Sequence, residues 1–418
     1  MQFQWGNLEL QQMKKEQFGD YLPRLVNYVF ERQGFFTQIN YTTAIEAWKY
    51  SATTHDSNEI EFTYNAPTAV YSPIQMMPQA IGIFLSRHIG LDVYTQGMFG
   101  RLGNLIFFIV LGYFSIKIIP YRKNFLLLFL LSPKIMYLSA TMSGDIFTNS
   151  IIIFYISYIL KLKYENKTLT KKKLMIPLLL APFVAICKTI YLPVCFLVGI
   201  LPTNCFKNNK RRIAYIISVI IISIATSLAW IKLSNSISFS SDLDTLPSQQ
   251  IKYVKENPIE FIGVLIRGVC NNSINWSEDI VGGYMEWGSA FSQPEIISII
   301  VYVLFAISIL LDKENEKKIK LKVNEIVLIS LICLIVIAGA LSAMYINWTP
   351  LYAGVGGLEI VGVQGRYFVP IVLLISLLMP CKIFKLDESF NANKIKWIYI
   401  FMCLCEFYSI SNIFVRNI

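Results

Sequence analysis

Long apolar runs alternate with polar loops along this chain, and most of the runs are longer than strands of a globular sheet. About ten have the composition of membrane-spanning segments. They lie near Leu102–Ile119, Asn124–Ser143, Ile146–Leu160, Leu174–Ile186 and Ile190–Leu201, then near Ile213–Ile231, Glu295–Leu311, Val323–Ile346, Tyr367–Phe384 and Ile395–Phe414. The fourth and fifth hold about 13 residues each, roughly 20 Å as helix against a hydrocarbon core of roughly 30 Å. They read as a short hairpin, tilted or partly re-entrant, with Lys188 at its tip. The pattern predicts an all-α polytopic membrane protein.

The polar remainder divides the chain in two. Residues 1–101 form a first loop with a surface helix, and residues 102–418 form the transmembrane domain, which includes a large loop at 234–294. Pro73–Ile89 has helical apolar spacing interrupted by Gln75, Pro78, Gln79, Arg87 and His88, and is predicted to lie on the membrane surface. Pro258–Val269 is a second amphipathic piece, inside the large loop.

Composition excludes the soluble classes, because 55% of the 418 residues are hydrophobic and only 15% charged. The net charge of +10 would suggest nucleic acid if it were concentrated in one polar domain. It is instead distributed over alternate loops: Lys117, Arg122 and Lys123; Lys161 to Lys173; Lys207 to Arg212; Lys313 to Lys322; and Lys382 to Lys396. The opposite short loops and the tail offer Lys188, Arg366 and Arg416. That asymmetry assigns the first set to the cytoplasm and the C-terminus to the outside of the membrane. No nucleic-acid partner is implied.

This topology places residues 1 to about 70 outside, although no signal segment precedes Pro73. The expectation is an eleventh helix, upstream of residue 1. Eight cysteines lie mostly in apolar runs or beside basic loops, and the two histidines stand apart. No disulfide framework and no zinc or redox-metal centre follows. A divalent cation at a carboxylate is the one cofactor left open.

Candidate chemistry gathers on the outer side. Asp145 follows Ser143-Gly144 at the start of the third run, where an N-cap and a carboxylate facing a sugar or ion both fit. Lys134 sits inside an apolar run, either snorkelling outward or binding a lipid phosphate. Lys188, followed by Tyr191 and Pro193, is the single basic residue of its loop and is either an interface anchor or a phosphate ligand. Arg366 is flanked by Gln364, Gly365 and Tyr367, and its planar fork suits two phosphate oxygens at once. Trp276, Tyr284 and Trp287 in the large loop serve as an interfacial belt or as stacking surfaces for sugar rings. Asp242-Leu243-Asp244 resembles a metal–nucleotide pair, but its outer placement argues against a nucleotide sugar.

Several patterns in order carry a family resemblance. They are Gly19-Asp20-Tyr21-Leu22-Pro23; Tyr71-Ser72-Pro73 with Pro78-Gln79-Ala80-Ile81-Gly82; Gly100-Arg101-Leu102-Gly103-Asn104; Ser143-Gly144-Asp145; Lys188 with Tyr191 and Pro193; and Gly362 to Pro370. The chain resembles the bacterial predicted membrane proteins of domain of unknown function 2142, relatives of the GT-C glycosyltransferases.

The resemblance implies a GT-C-like fold and transfer of a sugar from a polyprenyl-phosphate donor to a cell-envelope glycan. It implies an acidic role for Asp145 and phosphate or sugar contacts from Lys188, Tyr191, Gln364, Arg366, Tyr367 and Trp287. Relatives begin with a transmembrane helix followed by an Asp-Glu pair and a histidine, so the catalytic base is expected upstream of residue 1. They also tend to show a Gly-Trp pair where this chain has Glu286-Trp287-Gly288. The leading expectation is an integral-membrane glycosyltransferase. Its rivals are a lipid-linked glycan transporter or flippase, a polymerase or ligase using a polyprenyl-diphosphate donor, and an inactive truncated product.

Overall fold

The structure is a computed structural model, which describes residues 19–23, 49, 60–64, 71–165, 168–237, 245–283, 294–311, 321–379 and 391–416. It is predominantly helical. A two-stranded antiparallel ribbon adds to the expected helices: β1 (Gly19–Pro23) pairs with β2 (Ile60–Tyr64), Gly19 opposite Tyr64 and Pro23 opposite Ile60. The first pattern of the family resemblance is therefore a strand.

Tyr71 leads into a 3-10 turn at Pro73–Met76, capped by the Ser72 hydroxyl, which accepts from the Ile74 N–H at 3.4 Å. Helix α1 (Met77–His88) follows and packs along α2 (Val93–Ile118). Two glycines make this approach possible. A Cβ on Gly82 would stand 2.0 Å from the Phe99 carbonyl oxygen, and one on Gly103 would stand 2.3 Å from that of Pro78. Helix α2 begins at Val93 rather than near Leu102, because the Asp92 carboxylate accepts from the N–H groups of Tyr94 and Thr95.

The run at Asn124–Ser143 is not one span. It forms α3 (Lys123–Leu130) and α4 (Pro133–Ser139), separated at Ser132. Pro133 has no N–H to donate back into a preceding turn, so the chain restarts as a new helix with proline in its first turn.

The centre of the molecule is α5 (Gly144–Tyr164). Its apolar window is 83% buried, against 28%, 17% and 33% for the other three helices that, among the described residues, are long and apolar enough to cross a membrane: α2, α7 (Asn209–Ile237) and α11 (Val323–Asn347). Around it stand α6 (Lys171–Cys187), a 3-10 segment at Thr189–Ile200 and, further along the chain, α13 (Val369–Leu378). The predicted short hairpin is thus an α-helix followed by a tighter 3-10 stretch that contains Pro193.

The loop at 234–294 contributes α8 (Thr245–Glu256) and α9 (Pro258–Val281), the latter extending well beyond the predicted amphipathic piece. The remaining helices are α10 (Glu295–Leu311), the short α12 (Thr349–Ala353) and α14 (Asn391–Arg416).

The far end of α5 from Asp145 is closed by buried charge. The Lys163 ammonium donates to the Glu325 carboxylate, which also accepts the Lys322 N–H at 2.8 Å and so caps α11. Near it, Arg122 lies at φ 62° and is 1% exposed. Its guanidinium donates to the carbonyls of Ile309 (3.2 Å) and Met379 (2.7 Å), at the C-terminal ends of α10 and α13.

Candidate functional site

The other end of α5 gathers the candidates from distant parts of the sequence. Ser143 caps the helix, its hydroxyl accepting from the Asp145 N–H at 3.1 Å. Asp145 is therefore not the cap, and its carboxylate turns to two cations. Lys188 donates to Oδ1 at 2.5 Å, and the Arg366 Nη1 lies 3.4 Å from Oδ2. The Asp145 and Lys188 side chains are only 10% and 12% exposed, whereas Arg366 keeps 32%.

The backbone route to each group explains its placement. The segment before Asp145 is held by Asn104, whose amide donates to Gln79 Oε1 (3.0 Å) and to the carbonyls of Thr141 (2.8 Å) and Ser143 (3.4 Å). Gln75, buried beneath, donates to the Cys187 carbonyl next to Lys188 and accepts from the Thr148 hydroxyl at 3.5 Å. The early patterns of the sequence thus hold the two segments from which Asp145 and Lys188 project.

Tyrosines line the cations. The Lys188 Nζ stands 5.4 Å from the Tyr71 ring centroid and 5.1 Å from that of Tyr367, and the Arg366 Cζ stands 5.6 Å from Tyr367. These distances suit attraction between a cation and the ring face. Tyr191 donates its hydroxyl to the Tyr367 carbonyl at 2.9 Å, joining the Lys188 loop to the Arg366 loop. Gln364 precedes the 3-10 turn Gly365–Tyr367, and its carbonyl accepts the Tyr367 N–H at 3.1 Å.

Lys134 neither snorkels outward nor stands open to a lipid phosphate. It is buried and donates to Asp279 of α9 at 2.5 Å. The second Asp279 oxygen accepts the Arg366 N–H at 3.3 Å. Asp279 is a site residue that sequence reasoning passed over, as is Tyr71, which stood only within a family pattern.

Burial by itself would lower the pKa of Lys188, but the Asp145 carboxylate, aided by Tyr191 and Tyr71, holds it above the ordinary lysine value. Arg366 shows the same balance: burial lowers its pKa, Asp145 raises it, and the net shift is upward. Both side chains are therefore cations at neutral pH. Lys134, Lys188 and Arg366 face Asp145 and Asp279, and the outermost cation, Arg366, keeps part of its surface open. Such a group can receive an anion while its inner neighbours remain paired.

Trp287, Tyr284, Asp242 and Asp244 lie outside the described residues. Among the described residues no cluster of three His, Cys, Asp or Glu side chains offers a donor set for a divalent cation.

No curated protein matches the chain, and no solved structure matches it. Residues 40–375 match the model of the family described as predicted membrane protein (DUF2142). That match takes in every residue of the charged cluster, from Tyr71 to Tyr367, and the chain belongs to this family of membrane proteins.

Proposed function

We propose that the protein is an integral-membrane glycosyltransferase with a GT-C-like architecture, working at the outer face of a bacterial plasma membrane. It moves a sugar from a polyprenyl-phosphate donor to a cell-envelope glycan. The observation that carries this reading is the convergence of Lys188 and Arg366 on Asp145 at one end of the central helix, with Arg366 still partly open.

In such a transfer the bond between the sugar's anomeric carbon and the phosphate oxygen breaks, and a bond to an acceptor hydroxyl forms. Negative charge collects on the departing lipid phosphate. Preorganised cations that stabilise this charge lower the barrier. Arg366 presents a fork to phosphate oxygens, and Lys188 adds a point charge behind it. Tyr71 and Tyr367 supply faces for a sugar or an isoprenoid chain.

Asp145 holds the two cations in register. With each of its oxygens directed to a cation, it is poorly placed to take a proton. The base toward the acceptor hydroxyl is another carboxylate.

The test is Asp145→Asn and Arg366→Ala in the full protein, with envelope glycan composition as the readout. Both substitutions should remove one glycan modification while the protein stays in the membrane. Unchanged glycans in both variants would show that this cluster is not the site of such a reaction.

A further inference from the structure

Arg366 reaches Asp145 from a short turn, and something must fix that turn. Three contacts converge on it from α9. The Asp279 carboxylate accepts the Arg366 N–H at 3.3 Å while holding the Lys134 ammonium of α4 at 2.5 Å. The neighbouring Gly365 lies so close to α9 that a Cβ there would stand 2.3 Å from the Trp276 carbonyl oxygen and 2.8 Å from the Asp279 Cβ. On the other side of the turn, the Phe368 ring packs on Trp276 with centroids 5.4 Å apart.

We infer that Asp279, locked by Lys134, is a positioning residue that aims Arg366 at the anion subsite. The inference deepens the reading of Arg366 as a phosphate contact and rests on it for its functional meaning, although its geometry stands alone. A buried lysine in an apolar run is costly unless paired. The pairing here does more than neutralise it, because the same carboxylate is hydrogen-bonded to the backbone of the functional arginine. Each Asp279 oxygen has one duty: Oδ1 receives Lys134 and Oδ2 receives Arg366. The pair thereby fixes α9, an element of the large loop, to α4 and to the arginine turn at a single point.

The experiment uses the full chain in lipid nanodiscs. Phenylglyoxal modification of individual arginines is followed by peptide mass spectrometry. The main variant, Lys134→Met with Asp279→Leu, replaces the buried pair by apolar side chains and leaves no orphaned charge. Arg366 labelling should rise roughly fivefold or more. Arg212, whose guanidinium donates to the carbonyls of Leu201 and Gly199, reports global loosening and should keep its wild-type rate.

Asp279→Asn is the second variant. It is nearly isosteric, loses the charge, and should raise Arg366 labelling by a smaller factor. If Arg366 labelling stays at the wild-type rate in both variants, or rises only in step with Arg212, the positioning role is overturned.

Protection separates this outcome from failure of the phosphate reading. Farnesyl phosphate should slow Arg366 labelling in the wild type, inorganic phosphate should do so weakly, and farnesol should not. Absence of protection by either phosphate would overturn the phosphate reading, while the labelling ratio between variant and wild type would still decide the role of Asp279.

Discussion

Lys188 and Asp145 meet at 2.5 Å across 43 positions of sequence, the first at the end of α6 and the second in the first turn of α5. Neither stands at an exposed membrane edge as an anchor would. Asp145 also faces Arg366, so one carboxylate offsets two cations. Substituting Asp145→Ala leaves two cations facing each other in a largely buried place. Loss of one partner of a buried pair costs about 3–5 kcal/mol. Thermal unfolding in lipid should show that loss, and a variant as stable as the wild type would contradict the described pairing.

The pH dependence of the same pair has a definite sign. The pKa of Lys188 is raised in the folded protein, so its contribution to stability is complete below the ordinary lysine value of 10.5. It is lost only as pH rises through the folded value. The difference in melting temperature between wild type and Lys188→Met should therefore be flat from about pH 6 to about pH 9. A difference that shrinks steadily across that window would mean that the ammonium is not held by Asp145.

At the opposite end of α5, Lys163 and Glu325 form another buried pair. Lys163→Met alone should cost about 3–5 kcal/mol, because the carboxylate remains buried without its partner. Lys163→Met combined with Glu325→Gln should recover much of that loss. Additive losses in a double-mutant cycle of unfolding free energies would show that the two groups do not interact.

Arg122 reaches the carbonyls of Ile309 and Met379 with two different guanidinium nitrogens, which lysine cannot copy with one ammonium in the same geometry. Arg122→Lys should cost about 1.5–3 kcal/mol, the worth of one charged hydrogen bond. Arg122→Gly should cost more, although glycine suits a φ of 62° better than any other residue. Equal melting temperatures for the two variants would indicate that the local backbone, rather than the guanidinium, sets the stability there.

Much of this site was legible from residue type and place. Charge at the edge of an apolar run is costly, so Asp145, Lys188 and Arg366 stood out without any structure. Lys134 stood out as costly in an apolar run, but it read as snorkelling outward or binding a lipid phosphate, not as the partner of a buried carboxylate. Asp279 follows Ser277-Glu278 in a polar loop, where a carboxylate looks like one more solvated charge. Only the fold of α9 over α4 distinguishes it. The break at Ser132 was hidden for a different reason. Hydropathy averages across a proline, whereas the backbone cannot, and Asn124–Ser143 therefore read as continuous. Packing between α1 and α2 was not read from the sequence, where Gly82 and Gly103 stood only as parts of the family patterns, because close approach leaves no signature in apolar periodicity.

The short helix α13 has a mechanical consequence. Its C-terminal end is tied through the Met379 carbonyl to Arg122, which also grips α10. Its N-terminal end follows directly from the turn that carries Arg366. Ten residues of helix span roughly 15 Å and are held at both ends. Arg122, which bonds both α10 and α13, and the turn that carries Arg366 are thus separated by one short helix.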